Sequence, residues 1–140
     1  MTETNGAYDW LHNLKGCRGK PRNAWCGPGW REIVETCDAD LDYITEGTYV
    51  IDQIKEKFGT LRFYWHIEPY NYDKREELHR ERLHRIGRAV VRDAEALSAY
   101  RCENCGQHKY TDKNNPVTTE GSWLKTLCQS CRDASKANRT

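Results

Sequence analysis

Apolar residues recur at helical spacing in two stretches of the chain. Over 30–44, the residues that step by three or four positions are Trp30, Ile33, Val34, Cys37, Leu41 and Ile44. Over 72–100, the same spacing is shown by Leu83, Ile86, Val90, Ala94 and Leu97. A stripe of this period is typical of a helix with one buried face. The pattern predicts a helix over 30–44 and a longer one over 72–100.

The segment between these helices alternates apolar and polar residues instead. The apolar members of its second half are Leu61, Phe63, Trp65 and Ile67. A period of two predicts a strand with one covered face. The β-branched and aromatic residues before Lys57 predict a partner strand, joined by a turn near Gly59. We expect an α+β body in which the helix over 30–44 covers a small antiparallel hairpin.

The polar positions around this body indicate solvated surfaces. Residues 1–29 contain several Gly and Pro and little periodicity, which predicts an irregular arm. Its basic cluster, which is expected to be solvated rather than bound to phosphate, consists of Lys15, Arg18, Lys20 and Arg22. The acidic residues that lie largely away from the apolar stripe of the first helix, where water can solvate them, are Glu32, Glu35, Asp38 and Asp42.

Two cysteine pairs carry the strongest chemical signal. Cys102-x2-Cys105 is followed after 22 residues by Cys128-x2-Cys131. Two such pairs suit tetrahedral Zn²⁺, because each tight turn aims two sulfurs at one ion. Four cysteines also close the coordination shell, so the zinc is expected to be structural. The remaining cysteines, Cys17, Cys26 and Cys37, are interpreted as buried thiols, with a second metal site at Cys17, Cys26 and His12 as the alternative.

The sequence around the cysteines predicts the shape of the module over 101–140. Gly106 permits the left-handed turn of a knuckle, the interval over 107–127 is rich in turn residues, and CRDASKAN begins a helix. Knuckle, hairpin and helix in this order resemble the treble-clef zinc fold. A zinc ribbon, with a second hairpin in place of the helix, is the alternative.

Composition narrows the class of protein further. The chain has 140 residues, and its first ten, MTETNGAYDW, contain no positively charged and apolar leader. No run of 18 apolar residues is present, so no contact with a membrane is expected. We therefore expect a cytoplasmic protein, in whose reducing surroundings paired cysteines bind metal. Five Trp and eight Tyr exceed the needs of a small core and are residues that protein interfaces favour.

Nucleic acid is the second partner that the sequence allows. Lys and Arg outnumber Asp and Glu by 7 to 4 over 101–140. Cations that fall on one face of the long helix are Arg82, Arg85, Arg88 and Arg92. With Lys125 and Arg132 they form our set of candidate partner or phosphate contacts. Acidic residues at salt-bridge spacing along the helix favour a solvated face instead, and these are Glu77, Glu81, Asp93 and Glu95.

The cysteine module also resembles the frame of HNH endonucleases, which place a His-containing pair on the hairpin and a later Asn or His on the helix. Here the interval between the cysteine pairs contains only His108, and Arg132 stands where a His commonly follows the last Cys. Without a general base or a second set of metal ligands, we predict no catalytic residues and no enzyme. A degenerate nuclease is the remaining catalytic alternative.

Three stretches in this order resemble a family of small phage, prophage and bacterial proteins with a KEKFGTLRFY-type hairpin and a C-terminal four-cysteine module. The stretches are CGPGWREIVETC at 26–37, IKEKFGTLRFYW at 54–65, and AEALSAYRCENCG to GSWLKTLCQSC at 94–131. The chain departs from that family in the charged stretch at 68–92. A phage source implies a non-enzymatic protein that docks on a host protein, a defence or regulatory factor, in the host cytoplasm.

The resulting organisation has three parts. An irregular arm over 1–29 precedes an α+β body over 30–100 that includes the helix over 72–100, and a four-cysteine zinc module over 101–140 follows.

Overall fold

The computed structural model describes residues 9–20, 22–68 and 74–137, and its architecture is α+β. Its helices are α1 (Asp9–His12), α2 (Arg31–Ile44), α3 (Lys74–Ser98) and α4 (Gln129–Ala137). Its strands are β1 (Asn23–Ala24), β2 (Tyr49–Lys57), β3 (Thr60–Ile67), β4 (Val117–Glu120) and β5 (Lys125–Cys128). The first two residues of the helix predicted over 72–100 lie outside the described residues. None of the described helices has the length and apolar content needed to cross a membrane.

The strands form two sheets. In the first, β1 is parallel to β2 and β2 is antiparallel to β3, while β4 and β5 form a separate antiparallel pair. The turn between β2 and β3 contains only Phe58 and Gly59, both with positive φ (56° and 85°). Two such residues suit the tight hairpin turn whose twist matches that of the strands. The predicted hairpin and its turn are therefore confirmed.

The alternation predicted for β3 is also confirmed. Leu61, Phe63 and Ile67 are buried, whereas Tyr64 is exposed. The cover of this face consists of two helices rather than one, because α2 and α3 pack together and α3 also packs on β3. Gly87 makes the close approach of α3 possible, since a Cβ there would lie 2.5 Å from the Trp65 ring.

The apolar stripe predicted for α3 is partly wrong. Ile86 and Leu97 are 51% and 54% exposed, whereas Val91 and Ala94 are buried. Hydrogen bonds to β3, an edge strand of the first sheet, decide which side of α3 faces the core. The Ser98 hydroxyl accepts the N–H of Leu61 at 2.9 Å, and the Glu95 carboxylate accepts the N–H of Phe63 at 2.9 Å. These bonds satisfy donors that an edge strand otherwise leaves unpaired.

The arm predicted over 1–29 is irregular for much of its described length but contributes to the core of the body. Its core side chains are Trp10, Leu11, Leu14, Cys17 and Cys26. Short 3₁₀ turns at Lys15–Cys17 and Pro28–Trp30 interrupt it, and β1 joins it to the sheet. The arm is therefore not detached from the body, because its apolar residues fill space beneath α2 and β2.

Asp38, expected on a solvated face of α2, is buried and holds the arm in place. Its carboxylate accepts the backbone N–H groups of Lys15 and Gly16 at 2.8 and 2.9 Å, and it accepts the hydroxyl of Tyr49. Burial and this hydrogen bond raise the pKa of Tyr49, which keeps the hydroxyl protonated as a donor. A Cβ at Gly16 would meet the Tyr49 ring at 2.4 Å, so only glycine fits between arm and sheet.

Replacing Asp38 should destabilise the fold far more than replacing its neighbour. Asp38→Ala leaves three donors without their acceptor, and unsatisfied buried groups cost about 1–3 kcal/mol each. We expect the free energy of unfolding, measured by urea titration, to fall by at least ~3 kcal/mol. Asp40→Ala removes an exposed carboxylate from the same helix and should change it by less than about 0.5 kcal/mol. Equal losses for the two variants would contradict the anchoring role of Asp38.

Candidate metal centre

The first cysteine pair lies in a tight turn that follows α3. The N–H of Cys102 donates to the carbonyl of Gln107, and the N–H of Gly106 donates back to the carbonyl of Cys102, both at 2.9 Å. Gly106 has φ +85°, a backbone conformation that is strained for any residue with a side chain. The N–H of Cys105 points at the Cys102 sulfur at 3.5 Å. The knuckle expected from the sequence is therefore present.

The second pair lies where β5 passes into α4. Cys128 ends the strand, and Cys131 lies in the first turn of the helix, with its N–H 3.4 Å from the Cys128 sulfur. The side-chain oxygen of Asn115 accepts the N–H of Ser130 at 2.8 Å and so satisfies a free donor of the helix N-terminus. The positive end of the helix dipole favours thiolate at this position.

The four sulfurs converge on one point. All lie within 4.8 Å of one another, and the Cys105 and Cys128 sulfurs are 3.7 Å apart. A tetrahedral ion with metal–sulfur bonds of about 2.3 Å separates its sulfurs by ~3.8 Å. Elsewhere in the described ranges, no other group of three or more His, Cys, Asp or Glu side chains comes together in this way. The four cysteines are therefore arranged to hold a metal ion.

The surroundings shift the pKa values of these thiols in different directions. Burial raises the pKa of Cys105 and raises that of Cys131 to about 12. Burial acts on Cys128 in the same direction, but the N–H of Cys131 and further hydrogen bonds outweigh it and lower its pKa to about 7. The amide of Asn104 donates to the Cys131 sulfur at 3.2 Å. Sequence spacing gave no signal for Asn104, whose position only the folded turn reveals.

A partly buried ion-pair network joins the cysteine turn to the body. The Glu103 carboxylate accepts the N–H of Gly27 at 3.0 Å and lies 3.6 Å from the ammonium of Lys125. That ammonium is also 2.8 Å from the carboxylate of Glu56. Burial raises the pKa of Glu103. Burial opposes the charge on Lys125 too, but the hydrogen bond to Glu56 and the charge of Glu103 outweigh it and raise its pKa.

Uncharged hydrogen bonds strengthen the same joint. The indole N–H of Trp30 donates to the carbonyl of Arg101 at 3.0 Å, and the N–H of Gly29 donates to the carbonyl of Glu103 at 2.7 Å. On the hairpin side, the hydroxyl of Thr126 donates to the carbonyl of Gly59 at 2.6 Å. The cysteine module is thus hydrogen-bonded both to the turn that precedes α2 and to the turn between β2 and β3.

Lys125 and Arg132, which were expected at a partner or phosphate surface, are both bonded to groups of the protein itself. The ammonium of Lys125 is paired with the carboxylates of Glu56 and Glu103. Arg132 is buried, and its guanidinium donates to the carbonyls of Thr118 and Lys125 at 2.6 and 3.1 Å. A further bond of 3.3 Å reaches the carbonyl of Glu120. Arg132 therefore fastens α4 to both strands of the second hairpin and has little capacity left for an external anion.

The other chemically active side chains do not join the cysteine cluster. The ring of His108 accepts the N–H of Tyr110 at 3.2 Å and is not part of the metal group. Cys17, Cys26 and Cys37 are buried, which confirms their interpretation, and burial raises all three of their pKa values, that of Cys26 to about 12. His12 is exposed and the structure does not bring it together with Cys17 and Cys26 as metal ligands.

The four arginines of α3 are all exposed, on the side of the helix turned away from the sheet. The salt bridges that their spacing suggested are not formed. Among the described carboxylates, none forms an ion pair with Arg82, Arg85, Arg88 or Arg92. The Glu95 carboxylate instead accepts the backbone N–H of Phe63 in β3. The arginine face is therefore free to meet an external anion.

Models of protein families, curated proteins and solved structures were all compared with this chain, and none gives a significant match. The resemblance to a phage-associated family stays a prediction.

Removal of the metal should unfold at least residues 100–140. Thiolate zinc sites contribute ~10 kcal/mol to folding, so a strong chelator or Cys105→Ser should remove the metal and abolish hydrogen-exchange protection in β4, β5 and α4. Metal content by mass spectrometry and backbone exchange measure both effects. Cys26→Ala, which removes a buried thiol outside the cluster, should retain the metal. An unchanged melting curve after chelation would show that the four cysteines share no ion.

Proposed function

We propose that this chain is a non-enzymatic binding protein whose C-terminal module is held by a structural Zn²⁺ ion, and that it docks on another protein. The observation that carries the proposal is the convergence of four cysteine sulfurs within 4.8 Å. Four sulfurs fill a tetrahedral shell and leave no position for a water nucleophile. A tetrahedral four-sulfur set suits zinc or iron–sulfur chemistry. Here a hairpin lies between the two C-x2-C pairs and a helix begins at the second pair, an arrangement that favours zinc.

The arrangement also supports a treble-clef-like description of the module. A cysteine knuckle, the β4–β5 hairpin and α4 follow one another, and each end of the module supplies two ligands. In such a module the metal replaces a hydrophobic core, which leaves large side chains for recognition. A host protein is the partner that the phage-family resemblance implies, and the same resemblance places both in the host cytoplasm.

A cleft beside the metal centre is the docking surface that we assign to this function. The cleft has a volume of ≈ 580 Å³ and lies between the module and residues 25–28 of the arm. Trp25 and Trp123 line it and are 50% and 78% exposed, and Leu127 and Pro28 add apolar surface. Large aromatic side chains beside a cleft are typical anchors of protein–protein interfaces.

Docking is tested by affinity capture from a bacterial lysate with matched variants, followed by titration of the captured protein in purified form. Trp123→Ala removes an anchor and should weaken binding by at least ~2 kcal/mol. Tyr43→Ala removes a comparably exposed aromatic side chain from α2 and should bind as the wild type does. Absence of any captured protein, or identical affinities for the two variants, would remove the support for docking at this cleft.

The arginine face of α3 favours a second candidate, a protein that binds nucleic acid. Four exposed arginines without carboxylate partners among the described residues can approach phosphates along one side of the helix. This candidate needs no enzymatic activity and uses the same metal-held fold.

Salt dependence tests this second candidate. Binding of a DNA duplex should weaken steeply as salt is added, because each phosphate contact releases counterions. The double variant Arg85→Gln/Arg88→Gln should flatten the plot of log K against log salt by about 2 units. Arg31→Gln on α2, where Arg31 pairs with Glu35, serves as the control and should leave the slope unchanged. A flat salt response of the wild type would exclude the arginine face as a phosphate contact.

A further inference from the structure

The β1–β2–β3 sheet has a second face, opposite the one that packs on α2 and α3. Ile54 and Phe63 point into the core, so their neighbours along the strands point away from it. Across the three strands, Asn23 is in register with Gln53, and Gln53 is in register with Tyr64. Two amide side chains and a 42% exposed tyrosine therefore form one row on this outer face.

The next row of the outer face places two cations directly opposite each other. Lys55 on β2 is the register partner of Arg62 on β3. Like charges at such positions destabilise a sheet, and in the part of the chain that the structure describes neither one forms an ion pair. An external anion bound between them would relieve this repulsion.

The carboxylates on the same face lie next to His66 and not next to Lys55 or Arg62. Asp52 accepts a hydrogen bond from His66 at 2.8 Å, and Glu68 lies 3.8 Å from the other nitrogen of that ring. These groups lie at the end of the hairpin away from its turn, so the Lys55–Arg62 row stays positive. The cationic end continues to the turn, where the ammonium of Lys57 lies 5.5 Å from the ring of Phe58.

Tyr64 brings an aromatic surface next to this charge. The ammonium of Lys55 lies 5.8 Å from the centre of the Tyr64 ring. Arg62 and Tyr64 stand two positions apart on one face of β3, a separation of about 6.8 Å. A flat ring, a phosphate-binding cation and amides that can donate and accept hydrogen bonds thus occupy one small area. Among the described residues of this face, none is an exposed aliphatic side chain of the kind that an apolar protein partner would need.

We propose that the outer face of the β1–β2–β3 sheet binds single-stranded nucleic acid. Tyr64 stacks on an unpaired base, Asn23 and Gln53 hydrogen-bond to base edges, and Lys55 and Arg62 contact the phosphates. A single strand is required because a base within a duplex does not offer its flat face to a side chain. The proposal does not depend on docking at the Trp25–Trp123 cleft, and it uses the side of the molecule opposite the arginine face of α3.

The test is fluorescence anisotropy with labelled oligo-U RNA and oligo-dT DNA, using the full chain with its metal. We expect at least one of these single strands to bind at low salt, and an unlabelled duplex of equal length to displace it poorly. Tyr64→Leu should weaken binding roughly 5- to 150-fold, the range found for loss of one stacked base. Tyr64→Phe, which keeps the ring, should bind as the wild type does. Lys55→Gln/Arg62→Gln should flatten the salt slope by about 1.4 units.

Tyr43→Leu is the matched control, since Tyr43 is 86% exposed on α2, and it should leave the affinity unchanged. Thermal melting of every variant checks folding, and recovery of binding by Tyr64→Phe separates stacking from a strand defect. The proposal is overturned if neither single strand binds at low salt, or if Tyr64→Leu binds as Tyr43→Leu does. It is also overturned if Arg85→Gln/Arg88→Gln abolishes single-strand binding while Tyr64→Leu retains it.

Discussion

The convergence of four cysteine sulfurs is the constraint on which the C-terminal third of the structure depends. The buried apolar cluster of this region consists of Cys102, Val117 and Cys128, with Leu127 and Cys131 packed against it. So few side chains bury too little apolar surface to order two strands and a helix, and small modules of this kind need a metal or a disulfide. Three of the five residues belong to the four-cysteine set that can hold a metal ion, so the candidate metal site and the core of the module coincide.

The residues next to the four cysteines also make the hydrogen bonds and ion pairs that connect the module to the rest of the fold. Glu103 lies directly after the first ligand and is bonded to Gly27, while Lys125 and Thr126 precede the last pair and are bonded to Glu56 and Gly59. The cleft between Trp25 and Trp123 spans this joint. Loss of the metal would therefore change the proposed docking surface without any change in the residues that line it. The outer sheet face, built from the β2–β3 hairpin of the body and from β1 of the arm, would be less affected.

Sequence periodicity predicted the elements well where one physical effect dominates. The stripe of α2, the alternation of β3 and the cysteine spacing each report a burial pattern or a ligand geometry that is local in the chain. Asp38 and Arg132 were misplaced because a charged side chain on a helix is normally solvated, and only distant backbone groups make its burial favourable. The rotation of α3 was missed for a related reason. Gly87 and Ser98 carry no apolar signal, yet their contacts with Trp65 and Leu61 decide which side of the helix is buried.

X-ray absorption at the zinc edge, on protein purified under reducing conditions, tests the central claim most directly. The account predicts one zinc ion per chain, surrounded by four sulfur neighbours at about 2.3 Å and by no lighter ligand. Nitrogen or oxygen neighbours at about 2.0 Å in place of sulfur would contradict a closed four-thiolate site. So would a fully folded module that contains no metal at all.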